Sequence, residues 1–287
     1  AGAAADLRRG EARAGPVSTS PYNRAMTTRT ASNTPSSAPA SSRPQWHHGP
    51  SWLWLLSFVA CGLADWMIGR WTVLPLYVAA FYLGMVVIDL FTYPMLERWR
   101  AWVRQRGLLG WYLVEVGLMW IGTSVLLMAF APVWLNWTWS GPRWLQILGG
   151  IGLVISVLIG VWAAGQMGWK RLLFVPALFP PGEMARRYDV PQRLVVSGPY
   201  RYVRNPLYVT DMTLIGSTAL LTQNWFLVAA LAIYIAQLVM QLRLEERELR
   251  SRFGAQYERY LKAVPRFIPR LTPVDPQEIY REEAHSG

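Results

Sequence analysis

LVVSGPYRYVRNPLY, residues 194–208, lies between long apolar segments and carries more chemistry than a plain membrane loop requires. Gly198-Pro199 fixes a turn, because glycine reaches dihedrals closed to other residues and proline locks φ. Asn205, just before Pro206, is pushed out of helical space. A helix can start at Pro206, where a missing N–H costs nothing. Tyr200, Tyr202, Tyr208, Arg201 and Arg204 all sit on this turn. The stretch reads as a shaped loop feeding a membrane helix.

The surrounding composition agrees. Of the 287 residues 53% are apolar, 16 are Trp, and only 16% are charged, against ~25% in soluble chains. Several runs reach the ~20 apolar residues that cross a bilayer. They are residues 51–69, 72–96, 108–131, 144–165, 206–222 and 225–242. The last two are short, are joined by Gln223-Asn224, and read as a tight helical hairpin. The expected fold is an all-α integral membrane protein of about six transmembrane helices (five on the alternative map). Its last two helices form a short hairpin that continues into a cytoplasmic C-terminal helix.

Charge in the connections supports six helices. Lys and Arg number six before the first segment, then one, four, one, seven, none and nine in the successive connections and the C-terminal stretch. Every second connection is rich, so the positive-inside rule places both termini and the 168–206 loop in the cytoplasm. A bacterial inner membrane and an endomembrane both fit. This alternation also accounts for the net charge of +11 without a nucleic-acid partner. One cysteine, Cys61, allows no disulfide within the chain. The histidines, His47, His48 and His285, all lie in the tails, so no metal centre is expected in the membrane.

Residues 1–50 are rich in Ala, Ser, Thr, Pro and Arg and bury too little to fold. They read as a disordered tail or as a targeting segment. Residues 51–165 form the N-terminal helices, 166–270 a catalytic region and 271–287 a polar, frayed tail.

Four acids fall within the spans, each costing ~2.5–3.5 kcal/mol at a helix centre. Asp65 and Asp89 lie toward span ends and read as structural or interfacial. Glu115 lies near the interface. Asp211, one turn past Tyr208, either pairs with Arg201 or Arg204 or lines a site. Small residues recur in the fourth segment (Gly149, Gly150, Gly152, Ser156, Gly160, Ala163, Ala164, Gly165), spacing that lets helices pack closely or leaves a groove for a lipid chain.

The last segment runs on as QLRLEERELRSRFGAQYERYLKAV and is expected to stay helical up to Pro265. Leu238, Leu242, Leu249 and Phe253 form one apolar stripe, and Glu245 falls inside it. Glu246 and Glu248 do not, and Arg250 and Arg252 lie four residues on, at surface-pair spacing. Glu245 therefore needs a partner, either Arg201, Arg204 or a ligand. Tyr257, Tyr260 and residues 263–269 suggest an interfacial strap beneath the site.

GPYRYVRNPLY, the hairpin, EERE (245–248), FGAQYERY (253–260) and VPRFIP (264–269) together resemble the isoprenylcysteine carboxyl methyltransferases. These are a branch of the membrane methyltransferases that includes the phospholipid N-methyltransferases. The resemblance covers about residues 165–270. It implies S-adenosyl-L-methionine bound at the cytoplasmic membrane face. The implied cofactor contacts are Gln192, Arg193, Leu194, Val195, Tyr200, Asn205, Pro206, Leu207, Tyr208 and Glu245, with Arg204 and Asn205 catalytic. Relatives usually carry His where Asn205 stands, so a positioning role is left there. The arginine that meets a substrate carboxylate falls on Gln241, with Arg243 nearby on another face.

The implied reaction is methyl transfer to a membrane lipid or a prenylated or otherwise hydrophobic acceptor. Carboxyl O-methylation comes first and phospholipid amine N-methylation next. The cofactor brings the hard chemistry and the protein supplies alignment. The tyrosines either contact the cofactor or anchor the loop at the interface. Other readings of the same residues are a small transporter or channel using the four acids, and a non-catalytic assembly factor.

Overall fold

The computed structural model describes residues 51–167 and 194–281. The described residues form helices α1 (Ser51–Ile68), α2 (Val73–Thr92), α3 (Leu96–Arg106), α4 (Leu108–Trp111), a π-helical turn (Tyr112–Gly117), α5 (Leu118–Ala129), α6 (Ala131–Trp134) and α7 (Arg143–Met167). A 3-10 turn (Gly198–Arg201) follows, then α8 (Pro206–Thr222), α9 (Trp225–Phe253), α10 (Ala255–Ala263) and α11 (Pro276–Tyr280). The architecture is all-α and membrane-embedded.

Four of these stretches are long and apolar enough to cross a bilayer: α2, Leu108–Ala129 (α4, the π turn and α5), α7 and α9. The helix α1 is apolar but shorter. At 17 residues, α8 spans roughly 26 Å, short of a ~30 Å hydrocarbon core. It is sheltered by its neighbours, with Leu214, Ile215, Thr218 and Ala219 buried. Apolar side chains that point outward, such as Leu118, Ile121 and Val125 on α5 and Ile147, Ile151 and Leu158 on α7, make a face too large for water. Lipid covers it.

The small-residue stripe of α7 is a packing surface. A Cβ on Gly149 would sit 2.5 Å from the Leu221 nitrogen and 2.7 Å from the Ser217 oxygen of α8. One on Gly152 would meet Ser217 Oγ at 2.4 Å, and one on Gly160 would meet Thr210 Cγ2 at 2.9 Å. Backbone cannot yield as a side-chain tip can. Gly149→Leu should therefore destabilise the protein by ~1–3 kcal/mol or more, read as a lower melting temperature in detergent. Gly150→Ala, whose new Cβ meets only Leu221 Cδ1 at 3.9 Å, should melt like the wild type.

The hairpin turns as its sequence requires. Gln223 closes α8 in the left-handed region, and the Asn224 side chain caps α9 by accepting from the Leu227 N–H at 3.2 Å. Asn224 Nδ2 also donates to the Trp134 carbonyl at 3.0 Å, which ties the tip to the end of α6. At the other acid near a span end, both Asp65 oxygens accept backbone N–H groups at the start of α2, from Thr72 (2.8 Å), Val73 (2.6 Å) and Leu74 (2.8 Å). The structural role expected of Asp65 is what the structure shows.

Two expectations are corrected, and one of two alternatives for Asp211 is excluded. The final helix does not run unbroken to Pro265. It stops at Gly254, whose φ of +51° breaks the ladder and lets α10 set off afresh. The described part of the expected frayed tail packs: Val274 and Ile279 are buried, the Val274 N–H donates to the Arg201 carbonyl, and the Tyr280 hydroxyl donates to the Leu194 carbonyl. Asp211 pairs with neither Arg201 nor Arg204. It accepts from the Tyr82 hydroxyl at 2.9 Å and the Tyr234 hydroxyl at 2.8 Å, which pins α2, α8 and α9 together. The Arg201 side chain goes to the Val274 carbonyl and that of Arg204 to Glu246, and the phenols of Tyr82 and Tyr234 are the donors that reach Asp211.

Candidate active site

The loop 194–205 is held from below by the C-terminal strap, as the sequence anticipates. The Arg204 N–H donates to the Pro265 carbonyl at 2.9 Å, and the Arg270 N–H to the Tyr202 carbonyl at 3.0 Å. Arg201 Nε donates to the Val274 carbonyl at 2.8 Å, Asn205 Nδ2 to the Arg266 carbonyl at 3.2 Å, and the Tyr260 hydroxyl to the Tyr200 carbonyl at 2.8 Å. Tyr200 is buried, with its own hydroxyl against Met167 Sδ at 3.7 Å. Burial raises the Tyr257 phenol to about 12, with Glu246 adding to the rise, and raises the Tyr260 phenol as well. Neither is a proton carrier near neutral pH.

Above this loop, α8 and α9 bring Tyr208 and Glu245 into contact. The Tyr208 hydroxyl donates to Glu245 Oε1. Gln241 Nε2 donates to the same oxygen at 3.2 Å. The other carboxylate oxygen, Oε2, accepts no hydrogen bond among the described residues. Neither Arg201 nor Arg204, the partners considered from sequence, pairs with Glu245. The arginines go to its neighbour. Arg266 meets Glu246 at 2.7 Å, and Arg204 and Arg250 each at 3.8 Å. Glu246 is accordingly buried, which corrects its reading as a simple surface pair. Arg250 is the expected partner, but Arg204 and Arg266 reach it from loops that no helical wheel includes. Glu248 pairs with Arg252 at 2.6 Å as expected.

Four of the expected site residues thus stand near one another along α8 and α9: Pro206 and Tyr208 at the start of one helix, Gln241 and Glu245 on the other. Leu194 and Tyr200 are buried in the loop and Val195 and Leu207 half-buried. Arg204 carries a buried Nε with no partner among the described residues. Arg243 is exposed and lies apart from Gln241, as its place on another face requires. Gln192 and Arg193 lie outside the described residues.

The site reaches deeper than the sequence reading. Gln237 Nε2 donates to Asp89 Oδ2 at 2.6 Å and to Gln241 Oε1 at 3.0 Å. Gln241 Nε2 also approaches the Tyr93 hydroxyl at 3.5 Å. Asp89 is therefore linked to Glu245 through two glutamines. The polar residues Tyr234, Gln237, Gln241 and Glu245 at three-to-four spacing on α9 were the signal that could have found this row.

Residues 144–256 match the family model described as phospholipid methyltransferase. The match falls in the C-terminal half of the chain. The matched stretch takes in α7, α8 and α9, and with them the packed small-residue stripe and Glu245. It ends just past Gly254, before the strap. The chain is also similar to two proteins named for metal resistance. One is the nickel-cobalt-cadmium resistance protein NccN of Alcaligenes xylosoxydans xylosoxydans, 26% identical over 160 residues, 55% of this chain and 66% of that protein. The other is the cobalt-zinc-cadmium resistance protein CzcN of Cupriavidus metallidurans, 28% identical over 148 residues, 51% of this chain and 56% of that protein. The chain spans less than two thirds of the length of either relative. No solved structure matches. Among the described residues, no three His, Cys, Asp or Glu side chains group so as to hold a metal ion.

Tyr208→Phe tests the site's local chemistry. The hydroxyl is one of two donors on Glu245 Oε1, and a hydrogen bond to a charged group contributes ~1.5–3 kcal/mol. The variant should keep its fold and bind S-adenosylmethionine about tenfold or more weakly, measured by calorimetry.

Proposed function

We propose that this protein transfers a methyl group from S-adenosyl-L-methionine to a lipid-like or otherwise hydrophobic acceptor at the cytoplasmic membrane face. The observation that carries the reading is the state of Glu245. Its carboxylate is anchored through one oxygen by two neutral donors while the nearby cations are engaged by Glu246. Such a carboxylate fits a cationic ligand, and the cofactor is one. When bound, the cofactor supplies an activated methyl on a sulfonium. The chain's own task is then alignment and exclusion of water.

Glu245 would hold the cofactor's positive charge, and Tyr208 and Gln241 would fix the carboxylate. Leu194, Val195, Tyr200, Asn205, Pro206 and Leu207 would form the wall presented by the loop and the start of α8, with Gln192 and Arg193 as further contacts. Arg204 and Asn205 would position the reacting end; Asn205, already donating to the Arg266 carbonyl, suits that better than acid–base work. Among the described residues no arginine stands where a substrate carboxylate would be met, since Gln241 occupies that place and Arg243 is exposed. Between O- and N-methylation the site therefore does not favour the carboxylate. A contribution to metal resistance, of the kind the two relatives are named for, would come from modifying a membrane component.

Membranes containing the protein, supplied with methyl-labelled S-adenosylmethionine, should label a lipid-extractable or membrane-bound product that Glu245→Ala membranes do not. Absence of label from every membrane fraction would contradict the proposal. A reporter fused after Gly287 should report the cytoplasm; a signal from the other side would invert the orientation.

A further inference from the structure

Asp89 sits 2% exposed at the end of α2, joined to the site but used by no step above. Its Oδ2 accepts from Gln237 Nε2 at 2.6 Å. Two buried atoms of this pair have no partner among the described residues: Asp89 Oδ1 and Gln237 Oε1. Both are acceptors if Asp89 is ionised. Leaving buried polar groups unmatched is costly, and an unpaired carboxylate inside a span costs more still. No ion pair reaches Asp89 among the described residues. The titratable groups that face it are Tyr93 on the same side of the fold, and Tyr234 and Glu245 on α9. None is a cation.

We infer that Asp89 is held as the neutral carboxylic acid, paired both ways with the Gln237 amide, and that it acts through Gln237 and Gln241 as a positioning residue for Glu245. A carboxylic acid and a primary amide are complementary, each offering one donor and one acceptor on adjacent atoms. A proton on Asp89 Oδ1 turns two unmatched acceptors into a donor and an acceptor belonging to one pair. The orientation then propagates. With its nitrogen fixed toward Asp89, Gln237 also donates to Gln241 Oε1. Gln241 must therefore turn its own nitrogen toward Glu245. One neutral acid sets two amides and leaves Glu245 as the single negative charge of the row, matched to a singly cationic centre.

The positioning role rests on the reading of Glu245 as the cofactor's carboxylate; the proton on Asp89 does not. Two measurements separate them. Infrared spectra of ligand-free protein in lipid nanodiscs at neutral pH should contain a protonated-carboxyl C=O stretch that disappears in Asp89→Asn. A spectrum unchanged by that substitution would overturn the neutral acid. In calorimetry with S-adenosylmethionine, Asp89→Asn, which preserves the two-way pair, should bind within about threefold of the wild type. Asp89→Leu should bind about tenfold more weakly, ~1.4 kcal/mol. Gln237→Met, which keeps the side-chain length without the amide, should show the same loss and serves if Asp89→Leu fails to fold. Wild-type affinity in Gln237→Met, or an Asp89→Asn as weak as Asp89→Leu, would overturn the positioning role. A wild type that binds no cofactor would instead sink the proposed function, with the infrared result still deciding the proton.

Discussion

Glu245→Ala should bind S-adenosylmethionine about 10- to 150-fold more weakly than the wild type while keeping its helices and its melting transition. The range is the ~1.5–3 kcal/mol of a hydrogen-bonded charge converted to affinity. The fold should survive because, among the described residues, Glu245 joins no salt bridge and holds only the Tyr208 hydroxyl and the Gln241 amide. Glu245→Gln separates charge from shape. It keeps an acceptor for Tyr208 but removes the negative charge, so it should fall close to Glu245→Ala in affinity. If Glu245→Gln bound like the wild type, the carboxylate would be a structural acceptor and the site would lie elsewhere. Glu246→Gln is the matching control for the neighbouring position. It should disturb the arginines Arg204, Arg250 and Arg266, and with them the anchoring of loop and strap, so it should show first in stability.

Asp65→Asn should be among the most destabilising single substitutions in the protein. Both carboxylate oxygens of Asp65 accept from the first N–H groups of α2, at a site 2% exposed. Thr72, at the cap position, supplies no side-chain bond, so Asp65 caps α2 from a distance. An asparagine offers one acceptor oxygen and one NH2 group. Whichever way it turns, a donor meets a donor. The loss should be about 3 kcal/mol or more, since each stranded buried group costs ~1–3 kcal/mol. Thermal unfolding in detergent reads it directly. Asp65 lies beside the start of α2 and the Glu245 network beside its end, so the folded fraction should keep wild-type affinity for the cofactor. Loss of affinity without loss of stability would contradict this assignment.

Much of the fold was legible because its signals are local. Pro206 fixes the first turn of α8, Asn224 caps α9, and the apolar runs around them have few competing interpretations; the hairpin bounds follow. The stripe from Gly149 to Gly160 reads as a packing face because close helix approach needs small residues wherever the partner is. Glu245 was legible for a related reason, as a carboxylate on an apolar helical face that carries no arginine of its own. What escaped the sequence depends on residues distant along the chain. Asp89 and Gln237 are 148 positions apart, and nothing local to either predicts the pairing. Glu246 has an ordinary partner in Arg250, and only the folded loop and strap deliver Arg204 and Arg266 to it. For Asp211 the sequence leaves open an arginine partner or a place in the site, and the donors it meets are the phenols of Tyr82 and Tyr234, each far away along the chain. At Gly254 the polar and apolar residues on either side keep helical spacing, and the break lies in one dihedral.

Calorimetric titration of the wild-type protein with S-adenosylmethionine and S-adenosylhomocysteine, in nanodiscs with lipid present, tests the central claim most directly. The expected result is saturable one-to-one binding of S-adenosylmethionine that Glu245→Ala weakens by about 10- to 150-fold. Weaker binding is also expected of S-adenosylhomocysteine, which lacks the sulfonium charge. Folded wild-type protein that binds neither compound would contradict the account and return the four membrane acids to a transport reading.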